Sequence, residues 1–319
     1  MAAKIILNPY AGRWNARERL PEVKEALDVA GIVYELIETT KPGHGTQLAE
    51  EAVRDGFNPI ISAGGDGSMS EVINGVINGH LENNSRSKTS VGLLPLGSAN
   101  DIAVNLGLPL DLNRAATIIA QGNTEAIDIG KVTYLDPDGE TRHRYFDNNS
   151  ALGLEPTITL IQQGMTRLRG VPRYILAALR GVMRNPQWTM HLSWDGGEYA
   201  GPVTVVTVGI SPLTGGVFYM TPHADPFDGK LTFVHGSMPT RFKILRLLPK
   251  TMKPGAGSYV EHPDIHEIHT TWLKIHSDQP SPLHADGEIQ SQVARDIEYT
   301  ILPGYLPFLM NARKSDPTP

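Results

Sequence analysis

The chain of 319 residues contains no cysteine, which excludes disulfides, thiolate metal sites and cysteine nucleophiles together. It has no long apolar run either. Stretches such as Val203–Ile210 fall far below the ~20 residues that a spanning helix needs. A basic excess is missing too: 28 Lys and Arg stand against 34 Asp and Glu, and the resulting net charge of −6 argues against a general nucleic-acid binder. No low-complexity tract interrupts a composition that is 40% hydrophobic and 19% charged, as in an ordinary globular protein. Met1-Ala2-Ala3-Lys4-Ile5-Ile6-Leu7 runs straight into a strand pattern without the features of a signal peptide, so the expected location is cytoplasmic. The Walker A pattern and the protein-kinase motif set are also absent.

What is present is a glycine-rich stretch, Gly64-Gly65-Asp66-Gly67-Ser68. It follows an apolar run, Pro59–Ala63, that reads as a buried parallel strand, and precedes Met69, Val72, Ile73, Val76 and Ile77 at helical spacing. A glycine turn from strand to helix lets backbone N–H groups approach an anion, and the helix N-terminus adds a favourable dipole. The bland reading is a tight β–α connection that needs glycine only for its geometry. Asp66, however, would repel a bare phosphate. Its place suits a metal ion, a phosphate–metal complex or a hydroxyl about to be phosphorylated, which points to nucleotide-dependent phosphoryl transfer.

The first ~130 residues alternate strand and helix with short connections. Strands are expected at Lys4–Asn8, Val33–Glu38, Pro59–Ala63, Ser90–Pro95 and Glu125–Val132. Helices are expected at Ala16–Ala30, Thr46–Asp55, after the glycine turn, and at Ser98–Leu106 and Asp111–Gln121. This alternation predicts a doubly wound α/β nucleotide-binding domain over residues 1–130, completed by 303–319, with ligands beyond the carboxyl ends of its strands. From 131 to 302, turn signals such as Asp136-Pro137-Asp138-Gly139 and Asp195-Gly196-Gly197 separate short β-rich runs, among them Trp188–Trp194, Pro202–Ile210, Leu231–His235, Trp272–His276 and Ile297–Leu302. They predict a C-terminal β-rich sandwich domain, with helical interruptions near Tyr174–Met183 and Thr240–Leu248 and the active site in the cleft between the domains.

Four further segments fall in order with the glycine turn: Asn8-Pro9-Tyr10-Ala11-Gly12, Leu94-Pro95-Leu96-Gly97-Ser98-Ala99-Asn100-Asp101, Asp225-Pro226-Phe227-Asp228-Gly229-Lys230-Leu231 and Asp286-Gly287-Glu288. Together, NPxxG, GGDGS, LPLGSAND, DPFDGKL and DGE resemble the diacylglycerol kinase catalytic family, most closely soluble bacterial lipid kinases similar to sphingosine and ceramide kinases. The resemblance runs from Lys4 to about Leu302 and implies a fold shared with NAD kinases. It implies that ATP is bound by Asn8, Pro9 and Gly12, by Thr40, by Gly64, Gly65, Asp66, Gly67, Ser68 and Glu71, and by Gly97, Ser98 and Asn100. Asp66 would work with the catalytic Mg²⁺, Asp101 would join the acidic network at the transferred phosphate, and Glu288 would be the general base on the lipid hydroxyl. Asp228, with the backbone carbonyls of Asp225 and Lys230, would hold a second Mg²⁺. Ser68 and Ser98 depart from the more usual threonines but keep the hydroxyl.

Those residue types suit the chemistry. A lipid hydroxyl is a weak nucleophile at neutral pH, so a positioned carboxylate helps to remove its proton. The transferred phosphoryl group needs charge neutralisation, which a hard cation and backbone N–H groups supply. The expected function is therefore an ATP- and Mg²⁺-dependent lipid kinase, with diacylglycerol the first acceptor. Phosphatidylglycerol, a sphingoid base or NAD as acceptor, and a non-catalytic nucleotide- or lipid-binding module, are the alternatives.

Two basic, apolar stretches bear on a membrane. Arg167, Arg169, Arg173, Arg180 and Arg184 surround Ile175, Leu176, Leu179, Val182 and Met183 with no acid among them. Arg241, Lys243, Arg246, Lys250 and Lys253 likewise surround Phe242, Ile244, Leu245, Leu247 and Leu248. Both apolar sides could simply pack on the β-domain, leaving a basic rim for transient, peripheral contact with an anionic membrane that carries the lipid substrate. His262, His266, His269 and His276 fit no metal-binding spacing, and His223 and His284 read as surface residues. An exposed strand edge in the second half could support a homodimer.

Overall fold

The structure is a computed structural model and describes residues 2–81, 88–165, 171–184 and 186–312. It divides into two compact units, Met1–Ile129 with Pro303–Pro319, and Gly130–Leu302. No helix among the described residues is long and apolar enough to cross a membrane.

In chain order the first unit contains β1 (Ala3–Leu7), α1 (Ala11–Trp14), α2 (Leu20–Val29), β2 (Tyr34–Glu38), α3 (His44–Arg54), β3 (Ile60–Gly64), α4 (Asp66–Leu81), β4 (Val91–Pro95), α5 (Asp101–Asn105), α6 (Leu112–Gln121) and the start of β5 (Thr124–Leu135). The strands β1, β3 and β4 are buried along their whole length, the signature of a parallel sheet covered on both faces. Their order is β2-β1-β3-β4, every pair parallel. The chain moves from β1 out to β2 and returns to the other side of β1 as β3. The topological switch point therefore lies at the carboxyl ends of β1 and β3, where this architecture binds ligands. On one side, α2 and α6 bury Val23, Ala26, Leu27, Ala116 and Ile119 in a core with Ile5, Leu7, Ile61 and Leu94. Elsewhere α3 lies so near α4 that a Cβ at Gly75 would stand 2.2 Å from the Thr46 carbonyl oxygen.

The second unit continues with β6 (Thr141–Phe146), β7 (Asn149–Gly153), α7 (Leu154–Gln163), α8 (Val171–Arg184), β8 (Trp188–Trp194), β9 (Gly197–Val203), β10 (Val205–Gly209), β11 (Leu213–Thr214), β12 (Phe218–Tyr219), β13 (Leu231–Gly236), α9 (Arg241–Leu247), β14 (Ile265–Thr270), β15 (Trp272–Ala285) and β16 (Glu288–Leu309). Its strands pair antiparallel in the order β14-β13-β10-β7-β15. Along one edge, β15 pairs first with β8, through Leu273–Ser277, and then with β7, through Leu283–Ala285. The change of partner falls at Pro280 and Pro282, which cannot donate to a ladder, and the register with β16 shifts over the same stretch. Leu152, Val206, Val208, Phe233, Leu273, Ile275, Leu283 and Tyr299 form the core of these sheets. The helices α7, α8 and α9 share a second core with Val205 and Val234.

Several expected elements change. The helix expected over Ala16–Ala30 begins at Leu20, with Pro21 in its first turn, after the separate short α1. The strand expected over Pro202–Ile210 is two strands, broken where the Thr204 hydroxyl accepts the Met238 N–H (2.8 Å) and its carbonyl accepts the Leu154 N–H. The helix α7 was not foreseen, because Thr157, Ile158, Thr159 and Ile161 favour strands locally, yet Leu154 and Ile158 face the core one turn apart. Both β15 and β16 run far past the strands expected at Trp272–His276 and Ile297–Leu302.

His235 on β13 is buried against Tyr199 and His266, at ring-centroid distances of 4.7 and 5.1 Å. Burial, with His266 beside it, pushes its pKa down to about 4. The folded state thus keeps neutral an imidazole that titrates near 6.5 when unfolded, so this contribution to stability is complete above pH 6.5 and is lost as pH falls towards 4. His235→Phe is expected to flatten the decline in melting temperature between pH 6.5 and 4.5, a difference worth up to about 3 kcal/mol. Parallel pH profiles for the two proteins would refute this assignment.

Candidate functional site

Three turns at the carboxyl ends of β1, β3 and β4 meet in the first unit. The turn after β1 is held by Asn8, whose Oδ1 accepts the Tyr10 N–H (3.0 Å) while its Nδ2 donates to Ser68 Oγ (2.9 Å). After β4, the Asn100 amide closes a loop on Gly97, accepting its N–H at 2.9 Å and donating to its carbonyl at 3.2 Å. The turns after β3 and β4 touch backbone to backbone. A Cβ on Gly97 would lie 2.5 Å from the Gly65 Cα, and one on Gly65 would lie 2.9 Å from the Gly97 Cα. Gly12, at φ +58°, is equally tight, with the Leu96 carbonyl oxygen 2.5 Å from where its Cβ would be.

The glycine turn is shorter than its sequence suggests. β3 runs through Gly64 and α4 begins at Asp66, so Gly65 alone lies between them. Asp66 therefore occupies the first turn of α4, and its carboxylate also accepts the Ile102 N–H (3.2 Å) at the start of α5. Burial raises its pKa, while the backbone N–H groups of Ile102, Asp66, Asn100 and Asp101 pull the other way. Asp101 is buried at the first position of α5, beside Asn100, which adopts φ +53°. Glu71 points to a third helix: its two oxygens accept the N–H groups of Gly43 and Gly45, each at 2.8 Å, at the start of α3. Thr40 and Ser98 are exposed, Thr40 bonding through its N–H to His44 Nδ1 (3.1 Å), and Pro9 is buried.

Gly67 differs from Gly12, Gly65 and Gly97. It lies in the first turn of α4, exposed, and a Cβ there would meet nothing within 4 Å. Nothing in the fold asks for glycine at this position. The N–H groups of Gly67 and Ser68 belong to a first helical turn, where no helix carbonyl partners them, so the place is suited to an anion brought close to the backbone.

In the second unit Asp286-Gly287-Glu288 is the tip of the β15–β16 hairpin. Asp286 (φ +46°) and Gly287 (φ +75°) form the two-residue loop, and Ala285 pairs with Glu288. Two positive φ values in succession are those of a type I′ turn, which favours Asp-Gly. The Asp286 carboxylate accepts the N–H groups of Asn148 (3.1 Å), Asn149 (3.2 Å) and Asp147 (3.3 Å). Glu288, half-exposed, accepts from Arg144 Nη2 at 3.2 Å, which orients its carboxylate.

His284, expected at the surface, is instead buried, and its Nε2 lies 3.2 Å from Glu155 Oε1. Glu155 also accepts from Asn149 Nδ2 and Thr207 Oγ1, each at 2.8 Å. Burial pushes its pKa up, but His284, Thr207 and Asn149 more than offset that and hold it below the usual carboxylate range. Arg144, Glu155 and Asp286 carry no short-range sequence signal beyond the Asp-Gly turn.

The Asp225–Lys230 turn uses its acids internally: Asp225 Oδ1 accepts the Phe227 N–H (3.0 Å) and Asp228 Oδ1 the Lys230 N–H (2.9 Å). Among the described residues no group of three His, Asp or Glu side chains is placed to hold a metal. The oxygens of this turn fit a hard cation in kind, but only if backbone carbonyls complete the set, and the Lys230 ammonium can take no part. A groove elsewhere on this unit is lined by His191, Lys274, His276, Asp296 and Glu298, none of them a candidate site residue.

The sequence profile of the diacylglycerol kinase catalytic domain matches residues 2–132, and that of the YegS C-terminal NAD kinase beta sandwich-like domain matches residues 150–310. A diacylglycerol kinase of Staphylococcus carnosus (strain TM300) is 26% identical over 294 residues, covering 91% of this chain and 90% of its own. One of Staphylococcus aureus (strain MRSA252) is also 26% identical, over 289 residues that cover 90% of this chain and 85% of its own. A crystal structure described as a diacylglycerol kinase of Bacillus anthracis str. Sterne has the same fold at a TM-score of 0.71 and 19% identity, with 97% of each chain covered. Yeast NADH kinase complexed with NADH shares it more distantly, at a TM-score of 0.53 and 12% identity over 97% of this chain and 82% of its own.

The two kinds of glycine separate experimentally. Gly97→Ala is expected to destabilise by about 1–3 kcal/mol through overpacking against Gly65. Gly67→Ala is expected to stabilise by about 0.5–1 kcal/mol, as alanine does in a helix. Urea denaturation measures both, and a destabilised Gly67→Ala would mean that the glycine serves the fold. Because folding raises the Asp66 pKa, the ionised carboxylate costs stability at neutral and alkaline pH. Asp66→Asn should therefore melt above the wild type at pH 8, with the gain shrinking as pH falls into the carboxylate range. A lower melting temperature at pH 8 would contradict it.

Proposed function

The chain belongs to the diacylglycerol kinase catalytic-domain family, and from that premise we propose that it transfers the γ-phosphoryl group of ATP to a hydroxyl of a membrane lipid, diacylglycerol first. The observation that carries the reading is Gly67: a helix N-terminus beside Asp66 keeps a glycine that the fold does not require. A phosphate chain approaching the Gly67 and Ser68 amides would use the space that a side chain would fill. ATP and Mg²⁺ would supply the phosphoryl group and its countercharge, and the Asp66 carboxylate suits a hard cation at this place.

The chain's own residues would do the rest. Asn8, Asn100 and the glycines fix the three turns so that their amides are positioned before any ligand arrives. Glu288, aimed by Arg144, would take the proton of the acceptor hydroxyl at its carboxylate as the new bond forms. The acidic turn at Asp225–Lys230 would hold a second cation that steadies the β-domain rather than reacting.

The test is phosphate transfer from γ-labelled ATP to diacylglycerol, phosphatidylglycerol and sphingoid bases in mixed micelles, with NAD and fructose 6-phosphate as soluble acceptors. Labelled phosphatidic acid from the wild type is expected, with Glu288→Gln slower by about 10²–10⁴-fold. Gly67→Ala should raise the KM for ATP in a protein that is no less stable. Label in NAD or the sugar phosphate would overturn the acceptor. ATP bound without transfer to anything would leave a nucleotide-binding module.

A further inference from the structure

The helices α8 and α9 are apolar on two sides. On α8, Ala177, Ala178 and Val182 are buried in the core that holds α7, and Ile244 and Leu247 of α9 enter the same core. That accounts for one apolar side of each. On the other side, Leu179 and Met183 of α8 and Phe242 and Leu245 of α9 face solvent, with Phe242 73% and Met183 57% exposed. Met252, at the end of the 3₁₀ turn that follows α9, is exposed as well. A helix needs one apolar face to pack on its own domain, so a second one has a second partner.

The charge around these residues says which partner. Arg180 and Arg184 lie beside Leu179 and Met183, and Arg241 and Arg246 flank Phe242 and Leu245. Among the described residues, Lys243 alone of the cations on these two helices is paired, with Asp264 at 2.7 Å. Among the described residues Arg180, Arg184, Arg241, Arg246, Lys250 and Lys253 have no ion-pair partner. Arg167 and Arg169 lie outside the described residues, as does the side chain of Arg173. Aliphatic and aromatic side chains surrounded by unneutralised cations match an anionic bilayer, into whose interface the apolar groups insert while the cations meet the headgroups. A second copy of the chain matches poorly, since a two-fold contact would set the basic rim against itself.

We propose that Leu179, Met183, Phe242 and Leu245, rimmed by Arg180, Arg184, Arg241 and Arg246, form the surface by which the second unit docks on anionic membranes. The docking supplies the acceptor, and so it rests on the lipid-kinase reading above. It assigns separate tasks to separate residues: the helices choose the surface, and the turns carry out the chemistry.

Sedimentation with vesicles of phosphatidylglycerol and phosphatidylcholine, free of diacylglycerol and without nucleotide, reads docking apart from turnover. The wild type is expected to bind these vesicles, to bind pure phosphatidylcholine weakly, and to release in high salt. Phe242→Ser with Leu245→Ser, and separately Arg180→Glu with Arg246→Glu, should each weaken binding about tenfold or more. All four positions are exposed, so unchanged circular dichroism and melting are expected, together with unchanged turnover of a short-chain acceptor dispersed as monomers. Vesicle binding that both double variants retain, or a wild type that binds no vesicle, overturns the proposal. So does a wild-type dimer, or capture of an acidic protein, that depends on these residues while vesicle binding does not. If the patch governs vesicle binding but no lipid is phosphorylated, docking stands and the acceptor reading fails.

Discussion

The three turns of the first unit depend on one close contact, the approach of Gly65 to Gly97. Adjacent parallel strands deliver their turns side by side, and side chains at both positions would hold the turns apart. Without those side chains, the starts of α4 and α5 come near enough for a single carboxylate, Asp66, to lie in the first turn of one and accept a backbone N–H of the other. The price is a carboxyl whose burial outweighs the amides that favour its charge. On the reading proposed above, such a group suits a cation. A divalent ion would return the electrostatic stabilisation that burial removes, and helix-terminal amides nearby would still attract an anion.

The same economy of acids recurs. Glu71 steadies the start of α3, Asp286 gathers three consecutive amides, and Glu155 collects His284, Asn149 and Thr207. Each satisfies backbone or buried polar groups that would otherwise be left without partners, at a cost comparable to that of a lost hydrogen bond. Residues that a sequence motif assigns to ligands can thus also serve the local fold. Glu71 is the clear case, because both of its oxygens are committed to α3. Glu288 is the contrast: half-exposed at the end of a rigid two-residue turn, with Arg144 fixing one oxygen.

The two units were unequally legible from sequence, for a physical reason. In the first, each strand, turn and helix is local, and the apolar period announces it; Asp111 capping α6 by accepting the Arg114 N–H is visible as a sequence signal. Asp286-Gly287 is local too: its Asp-Gly pair suits the two positive φ values of the hairpin that the structure shows. Contacts of long range were not. Arg144 meets Glu288 across 144 positions and His284 meets Glu155 across 129, distances over which no periodicity survives. Proline acts in a different way: Pro280 and Pro282 cannot donate to a ladder, yet β15 continues through them by changing partners. In α7 the strand-favouring residues were overridden by the core that Leu154 and Ile158 enter.

Buried polarity also explains how the second unit holds a half-exposed carboxylate, Glu288, on a hairpin tip, ordinarily the most mobile part of a sheet. The tip is tied at two levels. Asp286 is bound through three N–H groups to the β6–β7 connection, and one residue before the loop Ala285 is covered by β7 on one side and β16 on the other. Beneath it, Ser150 bonds the His284 carbonyl, and Glu155 reaches across β7 to Thr207 on β10. A polar group deep in a sheet is costly to build, and the partners it has, here His284, Asn149 and Thr207 around Glu155, limit its alternative arrangements. What it secures here is direction. The Glu288 side chain leaves a backbone paired to Ala285, and Arg144 Nη2 holds its carboxylate at 3.2 Å. On the reading proposed above, a carboxylate so mounted would meet acceptors of different shape without being rebuilt, leaving the choice among them to the surfaces that present them.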